Sequence, residues 1–231
     1  GEPIGTPVLE ALIATDLKPS LVVCNPDRPS GRGHKLSPPP VKLLAEKYSI
    51  PVWQPETLKD QSAVEQKLKD VDLFVVVAYN KILPEWLINL PQHKTLNLHP
   101  SLLPKLRGAN PIRDAILYDV HEHVGVSVMM LDTKMDHGPL LAQEPVPITD
   151  TDWPIAGREL DAQLAAVGGR LLAKTIPEWI GGAITPQPQN HDAATYTSKM
   201  QKADGELDID PYDLPRGEAA RQHYRKIQAY D

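Results

Sequence analysis

Thr95-Leu-Asn-Leu-His-Pro-Ser-Leu-Leu-Pro-Lys-Leu-Arg-Gly108 is the stretch on which the fold turns. It opens as a strand. Side chains alternate along a strand, so Leu96 and Leu98 share one face while Thr95, Asn97 and His99 share the other. Pro100 has no N–H to donate and ends the ladder. A strand buried on both faces normally runs apolar throughout. Here an amide and an imidazole sit together at its C-terminal end. Two explanations are open at this point. Asn97 and His99 cap the turn where the chain leaves the sheet, or they face a ligand, because open α/β sheets bind ligands beyond the C-terminal ends of their strands.

Working outward, Leu21–Cys24, Ile50–Trp53 and Asp72–Ala78 are apolar runs of strand length. The last is the most apolar and is expected at the centre of the sheet. Helices are predicted over Pro7–Thr15, with Thr6 as N-cap, and over Pro39–Lys47 and Gln61–Lys69. Downstream, Asn110 is expected to cap a helix that Pro111 begins. Val124–Leu131 and Leu140–Ile148 read as strands, antiparallel across the short Asp132–Pro139 loop. Trp153–Ile180 reads as a long helix, Gly181–Asn190 as a linker and Arg216–Tyr230 as a final helix. Strands separated by helical stretches predict an α/β fold, a mostly parallel sheet flanked by helices.

The 231 residues suit one α/β domain with an appendage, or two small domains. The single cysteine, Cys24, excludes a disulfide framework. No apolar run of about 18 residues suggests a membrane span. A net charge of -6 does not describe a generic nucleic-acid binder. Within Asn25–Ser37, however, Arg28, Arg32 and Lys35 oppose only Asp27. Two prolines and two glycines predict an irregular loop there. His121, His123 and His137 are metal-ligand types, but turn spacing without a cysteine pair argues against a metal site. No Gly-x-Gly-x-x-Gly follows a strand, which disfavours nicotinamide binding.

Asn97-x-His-Pro-Ser-Leu-Leu-Pro-x-x-Arg-Gly108, followed at a distance by Asp136-His137-Gly138, resembles the folate-dependent formyltransferases. The resemblance implies a Rossmann-like formyltransferase fold and transfer of a formyl group from 10-formyltetrahydrofolate to an amine, with no metal. It implies Asn97, His99 and Asp136 as catalytic residues. It also implies a folate site formed by Tyr79, Asn80, Lys81, Ile82 and Leu83 with Ser101, Leu102, Leu103 and Pro104, although Ser101 taken alone reads as structural. The family usually has Gly where Asn80 stands, and Asn tolerates the positive φ expected there. Arg107 is open between a salt-bridging core residue and part of the acceptor site.

Pro26-Asp-Arg-Pro-x-Gly-Arg-Gly-x-Lys-Leu-x-Pro38 is similar to the insertion loop of the methionyl-tRNA formyltransferase family, which enters the acceptor stem of initiator tRNA. That implies tRNA contacts from Arg28, Arg32 and Lys35. It implies a cytoplasmic or organellar-matrix monomer with initiator methionyl-tRNA and folate as partners. The same resemblance implies a catalytic domain over residues 1–189 whose first strand is missing before Gly1. A linker and terminal helix follow over 190–231, and the resemblance stops where the family's C-terminal β-barrel would begin. Two alternatives stay open: a sugar-nucleotide N-formyltransferase, and a non-catalytic folate- or RNA-binding fragment.

The chemistry matches the residue types. Charge developing on the formyl oxygen needs a placed donor, which a carboxamide supplies without titrating. The attacking amine must lose a proton, and an imidazole exchanges one near neutrality. Asp136 is suited to orienting His99 or to holding a relaying water.

Overall fold

Helical and extended segments alternate as their apolar periods require. In chain order they are α1 (Glu2–Ile13), β1 (Val22–Val23), β2 (Arg28–Ser30), β3 (Lys35–Ser37), α2 (Pro40–Lys47), β4 (Val52–Trp53), α3 (Gln61–Leu68), β5 (Phe74–Val77), α4 (Glu85–Ile88), β6 (Thr95–His99), β7 (Arg107–Gly108), α5 (Pro111–Leu117), β8 (Gly125–Met130), β9 (Leu140–Pro145), α6 (Gly157–Ile180), β10 (Tyr196–Thr197) and α7 (Gly217–Tyr230). The computed structural model describes residues 2–30, 35–210 and 212–231.

The α/β architecture expected from the sequence is present. Its principal sheet has the order β5-β6-β8-β9 and is mixed. β5 and β6 run parallel, whereas β6/β8 and β8/β9 are antiparallel. β1 and β4 form a separate parallel pair. Leu96 and Leu98 turn into the main core with Val126 and Val128 of β8, Ile112 and Ile116 of α5, and Leu160, Leu164 and Leu172 of α6. Each fully buried Leu or Ile there contributes about 2 kcal/mol. The opposite face of β6 is thereby left to Asn97 and His99. Among the described residues no helix is long and apolar enough to cross a membrane.

Several local expectations give way. α1 begins well before Pro7, which lies inside it. The earlier start lines up Ile4, Val8 and Leu12 on one stripe facing the core, and this burial outweighs the proline. β5 is an edge strand of its sheet among the described residues, not a central one. Its apolar run is explained by helices on both faces: Phe74 packs with Val64 and Leu87, while Val75 and Val77 meet the main core. The arms of the Asn25–Ser37 stretch are not irregular but pair antiparallel, Arg28 with Ser37 and Pro29 with Leu36. A two-stranded ribbon admits a proline wherever the ladder asks for no N–H. Asn110 makes no side-chain cap on α5; its amide donates instead to Ser198 O at 2.5 Å.

Residues 181–190, expected as a linker, are tied to the sheet. Leu140 and Gln187 exchange backbone hydrogen bonds at 2.8 and 2.9 Å, and Gln189 is buried. Beyond them β10 pairs parallel with β7. α7 then lies against α5 and buries Ala229.

Candidate active site

Asn97 and His99, two apart on β6, emerge on the face opposite Leu96 and Leu98. His99 is 4% exposed, and its Nε2 lies 2.9 Å from Leu106 O. A carbonyl only accepts, so Nε2 carries the proton of the neutral ring and Nδ1 keeps its lone pair. Nδ1 faces Oδ1 of Asp136 at 3.6 Å, longer than a direct hydrogen bond. Protonation at Nδ1 would produce an imidazolium against a carboxylate. The Asn97 carboxamide makes no hydrogen bond to any described residue. It is free to donate to a ligand.

Asp136 sits on the β8–β9 connection with φ 48°, in the left-handed region that Asp tolerates better than most residues. Two glycines make this placement possible. A Cβ on Gly138 would come within 2.0 Å of Met130 O, so only glycine lets the loop close on the end of β8. Gly108, at φ 116°, presents its N–H to Asp136 Oδ2 at 2.7 Å.

The turn after β6 is held by two residues the sequence reading passed over. Ser127, opposite His99 on β8, accepts from Leu103 N–H at 3.1 Å and from Gln143 Nε2 at 2.8 Å, and donates to Ser101 O at 2.6 Å. Gln143 Nε2 also reaches Leu103 O at 2.9 Å. Ser127 lies on β8 beside β6 and Gln143 one strand further out, on β9. Ser101, expected at the folate site, is fully buried and donates to Lys105 O, so its hydroxyl supports the turn. Leu103 is also buried, whereas Leu102 and Pro104 are half-buried.

The parallel β5/β6 pair sends residues 78–83 and 100–104 off the same end of the sheet. In the first of these loops the positive φ falls on Ala78, at 51°, and not on Asn80. Asn80 instead accepts from Asn25 Nδ2 at 3.1 Å, which links the loops after β1 and β5. Lys81 Nζ donates to the carbonyls of Pro55 and Glu56. Tyr79 and Leu83 pack against the Leu58, Val64 and Leu87 cluster, and burial pushes the Tyr79 hydroxyl up from the usual phenol range. Ile82 is 98% exposed.

Arg107 is 1% exposed and forms no salt bridge among the described residues, which removes the salt-bridging reading. Its guanidinium donates to Gln189 Oε1, Tyr196 OH and His191 Nδ1. Of the implied tRNA contacts, Arg28 is exposed and pairs with Glu56 at 2.9 Å. Arg32 and the side chain of Lys35 lie outside the described residues. His121 and His123 face Asp150 and Glu122, while His137 lies 2.6 Å from Asp132. No group of three ligand-type side chains suited to a metal is assembled among the described residues.

The formyl transferase family matches residues 5–176, a span that includes all of β6, the turn after it and the Asp136 loop. The chain belongs to this family. Within it, the sequence is 40% identical over 223 residues to a methionyl-tRNA formyltransferase of Halorhodospira halophila, covering 96% of this chain and 68% of that protein. The chain thus spans about two thirds of that relative's length. Among solved structures, an N-formyltransferase from Helicobacter canadensis, in complex with folinic acid and dTDP-3-aminofucose, shares the fold. Its TM-score is 0.69 at 21% identity, over 98% of this chain and 77% of that one. The phosphoribosylglycinamide formyltransferase of Bacillus halodurans gives a TM-score of 0.60 at 26% identity, over 77% and 89% of the two chains.

Proposed function

We propose that this chain transfers the formyl group of 10-formyltetrahydrofolate to the amino group of methionyl-initiator tRNA, with Asn97, His99 and Asp136 as its catalytic residues. The observation that carries the reading is the facing of His99 Nδ1 and Asp136, on the strand that also presents the unbonded Asn97 carboxamide. The relatives named methionyl-tRNA formyltransferase support the choice of acceptor.

On this reading the lone pair of the methionyl amine forms the new N–C bond at the formyl carbon, and the carbonyl π pair moves onto oxygen. Asn97 donates to that oxygen. His99 Nδ1 takes the proton the amine loses, and Asp136 stabilises the resulting imidazolium. The oxyanion pair then re-forms the carbonyl as the bond from the formyl carbon to folate N10 breaks, N10 takes the proton back from His99, and the products are formylmethionyl-tRNA and tetrahydrofolate. The residues present fit a folate: the main chain of 78–83 and the Leu102–Pro104 turn flank one end of the sheet, and exposed Ile82 offers an apolar contact. Residues 1–189 would form the catalytic unit and 190–231 its appendage. Arg28, Arg32 and Lys35 would meet phosphates of the tRNA. The chain would act in the cytoplasm or an organellar matrix, as a monomer.

The test is formylation by the full chain with 10-formyltetrahydrofolate and either methionyl-initiator tRNA or dTDP-linked amino sugars. Formylmethionyl-tRNA is expected. Formylation of the amino sugar alone, or folate binding without turnover, would sink the proposal.

A further inference from the structure

We propose that Gln189, gripped by Arg107, is a positioning residue for the Asp136 carboxylate. It lies beyond residues 5–176, where the family match ends, in a segment without regular structure. It is nonetheless 5% exposed. Its Nε2 donates to the main-chain carbonyls of Asp136 at 3.0 Å and Gly138 at 2.7 Å, on either side of His137. Its Oε1 accepts from Arg107 Nε at 3.2 Å and Nη2 at 2.6 Å. Both donors and both lone pairs of the carboxamide are therefore in use, so it has one orientation and no freedom to slide. The loop it grips is one that needs holding, since Asp136 sits at positive φ.

The other anchors converge on the same three residues. Leu106 O accepts from His99 Nε2, Arg107 fixes Gln189, and Gly108 N–H fixes the Asp136 carboxylate. This tripeptide is itself held from the far end of the chain: Leu106 N–H donates to Thr195 Oγ1 at 2.9 Å and Arg107 N–H to Thr195 O at 2.9 Å, and β7 pairs with β10. One short jig thus sets the imidazole from one side and the carboxylate from the other. Gln189 is the part of it that fixes the backbone from which the carboxylate projects. Misplacement of a reacting group by about 1 Å is enough to cost roughly 100-fold in rate.

This rests on the reading of Asp136 as the partner of His99, so the experiment separates the two. Gln189→Leu, Gln189→Glu and Asp136→Asn are made in the full chain. Gln189→Glu keeps an acceptor for Arg107 but loses both donors to the loop, and it guards against a Leu variant that fails to fold. Two readouts are taken: formylation of methionyl-initiator tRNA, and the Gly108 amide resonance followed by NMR. Both Gln189 variants are expected to lower kcat by about 10- to 100-fold with KM values within about twofold. They should also move the Gly108 amide resonance, as Asp136→Asn does, because that N–H donates to Asp136 Oδ2 and reports where the carboxylate lies. An unmoved Gly108 amide and unchanged kcat in Gln189→Glu, with both altered in Asp136→Asn, overturn the positioning role and leave the catalytic reading standing. An Asp136→Asn protein with normal kcat overturns both.

Discussion

Around His99, Ser127, Gln143, Arg107 and Gln189 each make two or more hydrogen bonds, and all but Gln143 are buried. Around Arg28 and Ile82 the side chains face water: Arg28 and Glu56 pair at 65% and 70% exposure, and Ile82 is 98% exposed. The first region resembles a fixture, the second a surface that takes its shape from what it meets. Chemistry that depends on tenths of an ångström needs groups held before substrate arrives. Recognition of a long charged partner through phosphates tolerates adjustment.

The largest effect expected from breaking the fixture is at its centre. His99→Ala should lower kcat/KM by about 10²- to 10⁴-fold, the usual contribution of a placed proton-transfer group. Steady-state formylation measures it, and a loss under tenfold would show that His99 is not that group. Next comes Ser127→Ala, which leaves the buried Leu103 N–H without its acceptor and Ser101 O without its donor. It should destabilise the fold by about 2 kcal/mol, read from the urea midpoint.

How much of this contrast was legible beforehand follows from where each signal resides. Asn97 and His99 stood out because polar groups interrupt an apolar strand, whereas Asp136 and Gly108 entered through the motifs that carry the family resemblance. Ser127 and Gln143 were invisible because only the antiparallel register brings them beside His99 and Leu103. Gln189 was hidden for the same reason at a longer range, in a stretch whose prolines suggest a tether. The α/β layering was readable from strand and helix periods, but the edge position of β5 was not. An apolar strand says that both its faces are covered, not whether helices or strands do the covering.

On the adaptable side, Arg28→Ala should shift stability by less than about 0.5 kcal/mol, since an exposed ion pair contributes little. It should still flatten the salt dependence of tRNA binding by about one unit of log–log slope. A stability loss above about 1.5 kcal/mol would place Arg28 with the fixture and erase the distinction.

The smallest effect concerns acid. Loss of water around His191 where it meets Arg107 and His137, and then the charges of His137, Arg107 and Lys134, hold its imidazole below the usual range against the pull of Asp132. The folded protein favours the neutral ring. His191 therefore supports the fold above the unfolded imidazole pKa of about 6.5, and that support is lost as pH falls below it. His191→Gln should lessen the drop in Tm between pH 7 and pH 5. An unchanged or steeper drop would show that the ring does not titrate against Arg107.

The pairing of β7 with β10 also gives the protein a timetable. A ribosome delivers the strand with Asn97 and His99, then the Asp136 loop, then the long α6 helix, before Thr195 to Thr197 exist at all. Until that late segment is released, Arg107 and Gly108 lack the backbone partners that fix them. Synthesis therefore delivers Asn97, His99 and Asp136 before the segment that holds Arg107 and Gly108, so a nascent chain stalled short of Thr195 has these side chains but not the backbone bonds that brace the stretch between them.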